Sequence, residues 1–272
     1  MAFDPTIKQF YCDNGAALVK RCFTSEHLEL LARGVDRNIE HPSKESYTRF
    51  DSGGDGHGAF IYDYGCHPWI PEYTEFAVTS GLAAMAAELL SSRRVCFFDD
   101  SYFIKQAGSE IPAPWHHDHT YYQIEGEILV AWVPLDPHAE YETLRLVAGS
   151  HRWGKKFLPV NFDPDPDPVP TASAAKAYDP IPDIDAGDFE ILAWDVEPGD
   201  CVFFNGLTLH SSRGNPTQHE QRRFNCRFLD ANAVYAPREG YPWGDGKASA
   251  NLQPGQRLSE DPKIFPVLWE AN

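Results

Sequence analysis

Residues 114–122 read Pro-Trp-His-His-Asp-His-Thr-Tyr-Tyr and place three histidines and one carboxylate within four consecutive positions. On an extended chain residues i and i+2 share a face, so His116 and Asp118 point one way while His117 and His119 point the other. Two ligand sets follow. His116 and Asp118 need a third partner, and the segment 198–212, PGDCVFFNGLTLHSS, supplies His210 after a Pro-Gly-Asp strand start. Two histidines and one carboxylate form the facial triad of non-haem Fe(II) oxygenases, which leaves coordination positions open for chemistry. The rival set, His117, His119 and His210, suits a cupin-type metalloenzyme. The acid that such a motif places three to five residues on falls late here, since Gln123 and Ile124 precede Glu125. The first set is preferred, with His119 at most at the mouth of a pocket.

The body around this segment reads as mainly β with flanking helices. The turn at Asn14-Gly15 separates a short helix from a strand through Val19. Thr24 or Ser25 can cap a helix carrying Leu28, Leu31, Val35 and Ile39 and ending near Pro42. Residues 43–70 read as a Gly- and His-bearing loop, and 71–91 as one helix with Leu82, Met85 and Leu89 on a side. Strand signals follow at 95–105, 127–136, 144–149, 189–194, 200–205 and 222–230, each short, rich in β-branched or aromatic residues and bounded by turns. The acidic, proline-rich stretch 161–188 reads as a solvated surface insertion, with a lid as the functional alternative. The chain is expected to form a single domain, 1–272, an α-flanked sandwich or barrel.

The 272 residues suffice to bury a large core. Forty acids against 23 basic residues give a net charge of −17, which argues against binding nucleic acid or an anionic membrane surface. No apolar run approaches the ~20 residues of a membrane span. Neither a basic n-region nor an apolar h-region opens the chain. Six scattered cysteines without a CxxC pair suit reduced thiols and a cytoplasmic location.

Four blocks in order then carry a resemblance: 9–31 (QFYCDNGAALVKRCFTSEHLELL), 103–122 (FIKQAGSEIPAPWHHDHTYY), 130–154 (VAWVPLDPHAEYETLRLVAGSHRWG) and 198–224 (PGDCVFFNGLTLHSSRGNPTQHEQRRF). Together they resemble the phytanoyl-CoA dioxygenase family of Fe(II)/2-oxoglutarate oxygenases. The resemblance implies a double-stranded β-helix, the cupin-like jelly roll, and Fe(II), 2-oxoglutarate and O2 as cofactor and co-substrates. It implies succinate and CO2 as co-products of hydroxylating an unactivated C–H bond of a small molecule. His116, Asp118 and His210 would hold the metal. Lys105, Trp132, Ser212 and an arginine would hold 2-oxoglutarate, whose far carboxylate suits a planar guanidinium. Arg222 is preferred over Arg223 because Phe224, Cys226 and Phe228 share its strand face and its separation from His210 is nearer the family's spacing. His151, in Gly-Ser-His-Arg, looks structural.

Family halogenases replace the acid with a small residue, and Asp118 is intact. Glu142-Thr143 stand where many members carry Asn-Gly, which puts that turn's geometry in doubt. The acidity, with Asp99 and Tyr121 as candidate contacts, points to a small neutral or cationic substrate. A monomer or homodimer is expected. A non-catalytic ligand-binding jelly roll is the remaining alternative.

Overall fold

The computed structural model describes residues 3–49, 58–160, 176–238 and 251–271. Asp4 caps α1 (Pro5–Asn14), accepting from the Thr6 amide, and Gly15 ends it in the left-handed region at φ 78°. The chain turns there into β1 (Ala16–Val19). Thr24 then caps α2 (Ser25–Glu40). Leu30, Leu31 and Val35 are buried on this helix, but Ile39 is exposed, so the inward stripe is narrower than the sequence suggests.

Two early expectations need correction. Residues 43–70 are not all loop, because β2 (Tyr47–Arg49) and β3 (Phe60–Tyr64) pair with each other. Residues 71–91 hold two helices, α3 (Pro71–Thr79) and α4 (Leu82–Leu89). Gly81 at φ 79° breaks the run between them, a conformation that only glycine adopts without cost.

The remaining strands are β4 (Arg94–Lys105), β5 (Ala113–His116), β6 (Ile124–Glu125), β7 (Ile128–Pro134), β8 (Leu144–Val147), β9 (Ile191–Leu192), β10 (Cys201–Asn205), β11 (His210–Ser212), β12 (Gln221–Asp230), β13 (Val234–Tyr235) and β14 (Val267–Glu270). They form a large antiparallel sheet, β1-β10-β7-β12-β4-β3-β2 with β14 beside β4, and a smaller one, β5-β11-β8-β9. The smaller sheet closes over the larger as a jelly roll.

The large sheet is covered on both sides, and this shapes everything that follows. Along β7, Leu129, Ala131 and Val133 join the helices in one apolar cluster, while Ile128, Val130 and Trp132 face the interior between the sheets. Along β12, Phe224, Cys226 and Phe228 belong to the helix side. The intervening Arg223, Asn225 and Arg227 line the interior. In β4 the register shifts opposite Arg227 and Phe228, so Phe98 and Asp99 both line the interior. Ser101, Phe103 and Lys105 follow at alternate positions.

Of the acidic insertion, 161–175 lies outside the described residues. Its end packs against the smaller sheet: Ile184 sits with Val147 and Leu209, and Asp185 accepts from Trp115 Nε1 at 3.1 Å and Arg145 at 2.9 Å.

Candidate active site

The interior opens as a cavity of about 1030 Å³. At its heart β5 ends on His116, directly opposite His210 at the start of β11. His117 is still extended, at φ −132° and ψ 145°, before a 3-10 turn begins at Asp118. That single extended residue puts His116 and Asp118 on the same side. The ligand atoms of His116, Asp118 and His210 all lie within 4.8 Å of one another, and all three residues are buried. Asp118 Oδ1 is 3.6 Å from His116 Nε2 and 3.5 Å from His210 Nε2.

The donor set fits a divalent transition metal. Each histidine spends Nδ1 on a backbone carbonyl, His116 on Pro114 at 2.7 Å and His210 on Thr208 at 2.9 Å. This fixes the tautomer that turns the Nε2 lone pair toward the cluster centre. Burial, with His116 alongside, lowers His210 to about 3, so it stays neutral and able to ligate. Burial alone would raise the Asp118 carboxyl, but Arg227, His116 and His210 hold it well below the usual carboxylate range. Arg227 Nε donates to Asp118 Oδ2 at 2.7 Å, so one carboxylate oxygen is occupied and Oδ1 is left for a metal. Arg227 also donates to Ser101 Oγ at 3.0 Å and lies 3.9 Å from Asp99.

The rival ligand set does not assemble. His117 Nε2 accepts from the Phe157 amide at 3.2 Å, and His119 Nε2 meets the Gly126 carbonyl at 3.1 Å. Among the described residues neither histidine belongs to a group of three that could hold a metal.

A second group of polar side chains lines the same cavity. Lys105 Nζ donates to Ser212 Oγ at 3.0 Å and to the Arg213 carbonyl. Burial and the neighbouring Arg223 charge hold the Lys105 ammonium well below its ordinary pKa, an environment that an added anion would relieve. Trp132, 2% exposed, is a further lining residue.

The expected arginine is displaced by one position. Arg222 points outward, to Asp36 at 3.0 Å and Glu220 at 2.8 Å, whereas Arg223 is 3% exposed and lines the cavity. The choice of Arg222 assumed that the apolar face of β12 is the inner one. In fact that face meets the helices, and the polar face meets the cavity. Arg223 donates to Gln221 Oε1 at 2.8 Å, and Gln221 in turn donates to buried Glu142 at 3.0 Å. Glu142, which looked out of place in its turn, therefore backs the arginine, and its carboxylate also accepts from the Ala139 amide.

Asp99 and Tyr121 both line the cavity but are engaged. Tyr122 donates to Asp99 at 2.7 Å, and the Tyr121 hydroxyl exchanges hydrogen bonds with the Val160 backbone. His151 is structural as expected, meeting the Cys12 carbonyl at 3.2 Å. Arg227, Gln221 and Glu142 were missed from sequence. The i, i+4 spacing of Arg223 and Arg227 on one strand face was the available signal.

The phytanoyl-CoA dioxygenase family model matches residues 11–224, a span holding every residue of this site except Arg227. The chain belongs to the phytanoyl-CoA dioxygenase family. No curated protein sequence matches it. Among solved structures, this family member is similar to SnoN, a non-haem α-ketoglutarate-dependent epimerase from nogalamycin biosynthesis. The two share 22% identity and a TM-score of 0.72 over 97% of this chain and all of the other. It is similar to the carbocyclase SnoK from the same pathway, with 19% identity and a TM-score of 0.74 over 97% of this chain and 96% of the other. EctD from S. alaskensis, solved with 2-oxoglutarate and 5-hydroxyectoine, gives 16% identity and 0.65 over 90% and 84%. At such identities these likenesses speak for the jelly-roll fold. No helix among the described residues is long and apolar enough to cross a membrane.

Proposed function

We propose that this member of the phytanoyl-CoA dioxygenase family is a non-haem Fe(II)/2-oxoglutarate-dependent oxygenase that hydroxylates an unactivated C–H bond of a small molecule. The observation that carries the reading is the convergence of His116, Asp118 and His210 on one buried point that shares its cavity with Lys105, Ser212 and Arg223. Bound iron and 2-oxoglutarate together supply an oxidant made from O2, with succinate and CO2 as co-products.

The chain's own residues have separable tasks. His116, His210 and Asp118 Oδ1 hold the metal on one side, which leaves the cavity side open. Arg227 keeps Asp118 ionised and occupies its Oδ2, so Oδ1 is the oxygen that would meet a metal. Arg223, aimed by Gln221 and Glu142, takes the far carboxylate of 2-oxoglutarate, with Lys105 and Ser212 as further donors and Trp132 as a flat neighbour. The intact carboxylate ligand favours hydroxylation over halogenation. An epimerase and a carbocyclase stand among the similar structures, and a product one oxygen atom heavier than the substrate distinguishes hydroxylation from either.

The test is 2-oxoglutarate binding by calorimetry, with succinate formation read alongside. Arg223→Leu is expected to weaken binding by about 100-fold or more, the scale of losing a charge-assisted bidentate contact. Arg222→Ala should bind as wild type. Equal loss in both variants, or in neither, overturns the assignment.

A further inference from the structure

One wall of the cavity carries no metal ligand and meets the proposed co-substrate site only at its inner end, where Phe60 lies under Lys105. Phe60, Tyr62 and Tyr64 alternate along β3 and line the cavity, and Phe103 joins them from β4. Phe103 pairs across the sheet with Tyr62. The Phe60 and Phe103 rings stack at 5.9 Å, Phe60 lies 5.4 Å from Tyr62, and Tyr62 lies 6.1 Å from Phe103. The ladder has a direction. Phe60 is 2% exposed and sits beneath the Lys105 ammonium, whereas Tyr64 is 41% exposed at the mouth. The ladder thus runs from solvent-exposed Tyr64 inward to Phe60, beside the proposed 2-oxoglutarate pocket. Such a ladder, left open in a cavity, is a built surface for rings rather than a packing accident.

The charges on the cavity lining narrow the occupant. Among the described residues its cations are Lys44, Lys105, Arg223 and Arg227. Arg227 is held by Asp118, and Lys105 and Arg223 serve the co-substrate. Lys44 then stands alone beside Glu45, too little to hold a diphosphate or a CoA moiety. The cavity of about 1030 Å³ holds the metal and co-substrate sites as well as the aromatic wall, and is large enough for a drug-sized substrate beside them.

We infer that the substrate is an uncharged molecule with a planar multi-ring system, seated against half-buried Tyr62 and Phe103, which Phe60 backs from beneath, and entering past Tyr64. The inference rests on the oxygenase reading, because it gives Lys105 and Arg223 to 2-oxoglutarate. It revises the expectation of a small substrate, and it casts Asp99, on the same strand as Phe103, with its partner Tyr122 as a polar pair beside the wall.

The test is intrinsic-fluorescence quenching of the Zn(II)-loaded protein, with and without 2-oxoglutarate, by a neutral dihydroxyanthraquinone, with palmitoyl-CoA and ectoine as counter-probes. The ring probe should bind saturably and more tightly than either counter-probe. Its Kd should rise about tenfold in Tyr62→Leu and in Phe103→Leu, which keep apolar bulk but lose the ring. Tyr62→Phe should restore it, and the surface variant Arg222→Ala should not move it. Tighter binding of palmitoyl-CoA or ectoine, or wild-type affinity in both leucine variants, overturns the inference. Calorimetry with 2-oxoglutarate on the same proteins reads the oxygenase assignment separately, since its failure leaves the ring titration still decisive.

Discussion

Arg227 shows how much of this site depends on one side chain outside the metal's own ligands. It is buried, takes one oxygen of Asp118 and reaches Ser101 through a second nitrogen. Removing it leaves a buried carboxylate without its partner, a change that typically costs about 3–5 kcal/mol. Loss of such a supporting contact also weakens metal binding by about 10–100-fold. Arg227→Leu should therefore lower both the thermal midpoint and the Fe(II) affinity, while Arg227→Lys, with one donor group, should recover part of each. Wild-type Fe(II) affinity in Arg227→Leu would show that Asp118 needs no such anchor. The residue scale is also where sequence reading was strongest and weakest. The i, i+2 rule identified His116 and Asp118 because only backbone extension was needed. It misassigned Arg222 because both faces of β12 are buried, and parity alone does not say which side holds the cavity.

At the level of elements, the helices matter because they cover the outer face of the sheet that carries Arg223, Asn225 and Arg227 inward. α2 and α3 approach closest at Gly34, where an added Cβ would fall 2.8 Å from the Tyr73 ring and 2.9 Å from Glu72 Cβ. Tyr73 is wholly buried and donates to Asn38, so it has no room to yield. Gly34→Ala should thus destabilise by about 1–3 kcal/mol despite the better helix propensity of alanine. A thermal melt should show a midpoint several degrees lower, whereas an unchanged or raised midpoint would mean that the helix pair is loosely seated. The longer strands were legible from composition, as were α1, α2 and the Gly15 turn. β5 and β11, which position the two histidine ligands, were too short to give a periodic signal. β2 and β3 were hidden by the glycine-rich run 51–58 between them, and Ser80-Gly81 was not read as the break it is.

For the molecule as a whole, acid stability is set by imidazoles buried in neutral form. Burial lowers His138 to about 3, with the Arg223 charge adding to it, and lowers His117 and His119 to about 4. In the unfolded chain these groups take up protons below about pH 6.5. Between there and about pH 4 the unfolded state binds more protons, so stability falls as pH falls. The metal-free protein should lose several degrees of midpoint from pH 7 to pH 4.5, and His138→Gln should flatten that slope. An equal slope in the variant would place the acid sensitivity elsewhere. The jelly roll itself was foreseeable from ordered family-like blocks, but the inside-out chemistry of its large sheet emerges only once the helices are seen to occupy the apolar side.

His116, Asp118 and His210 are the residues that would hold iron, with 2-oxoglutarate bound against it. Anaerobic titration of the protein with Fe(II) and 2-oxoglutarate tests this most directly, through the weak visible charge-transfer band of that chelate. Wild type and His117→Ala should develop the band, and His116→Ala should not. A band retained in His116→Ala and lost in His117→Ala, or absent from all three proteins, would contradict the account.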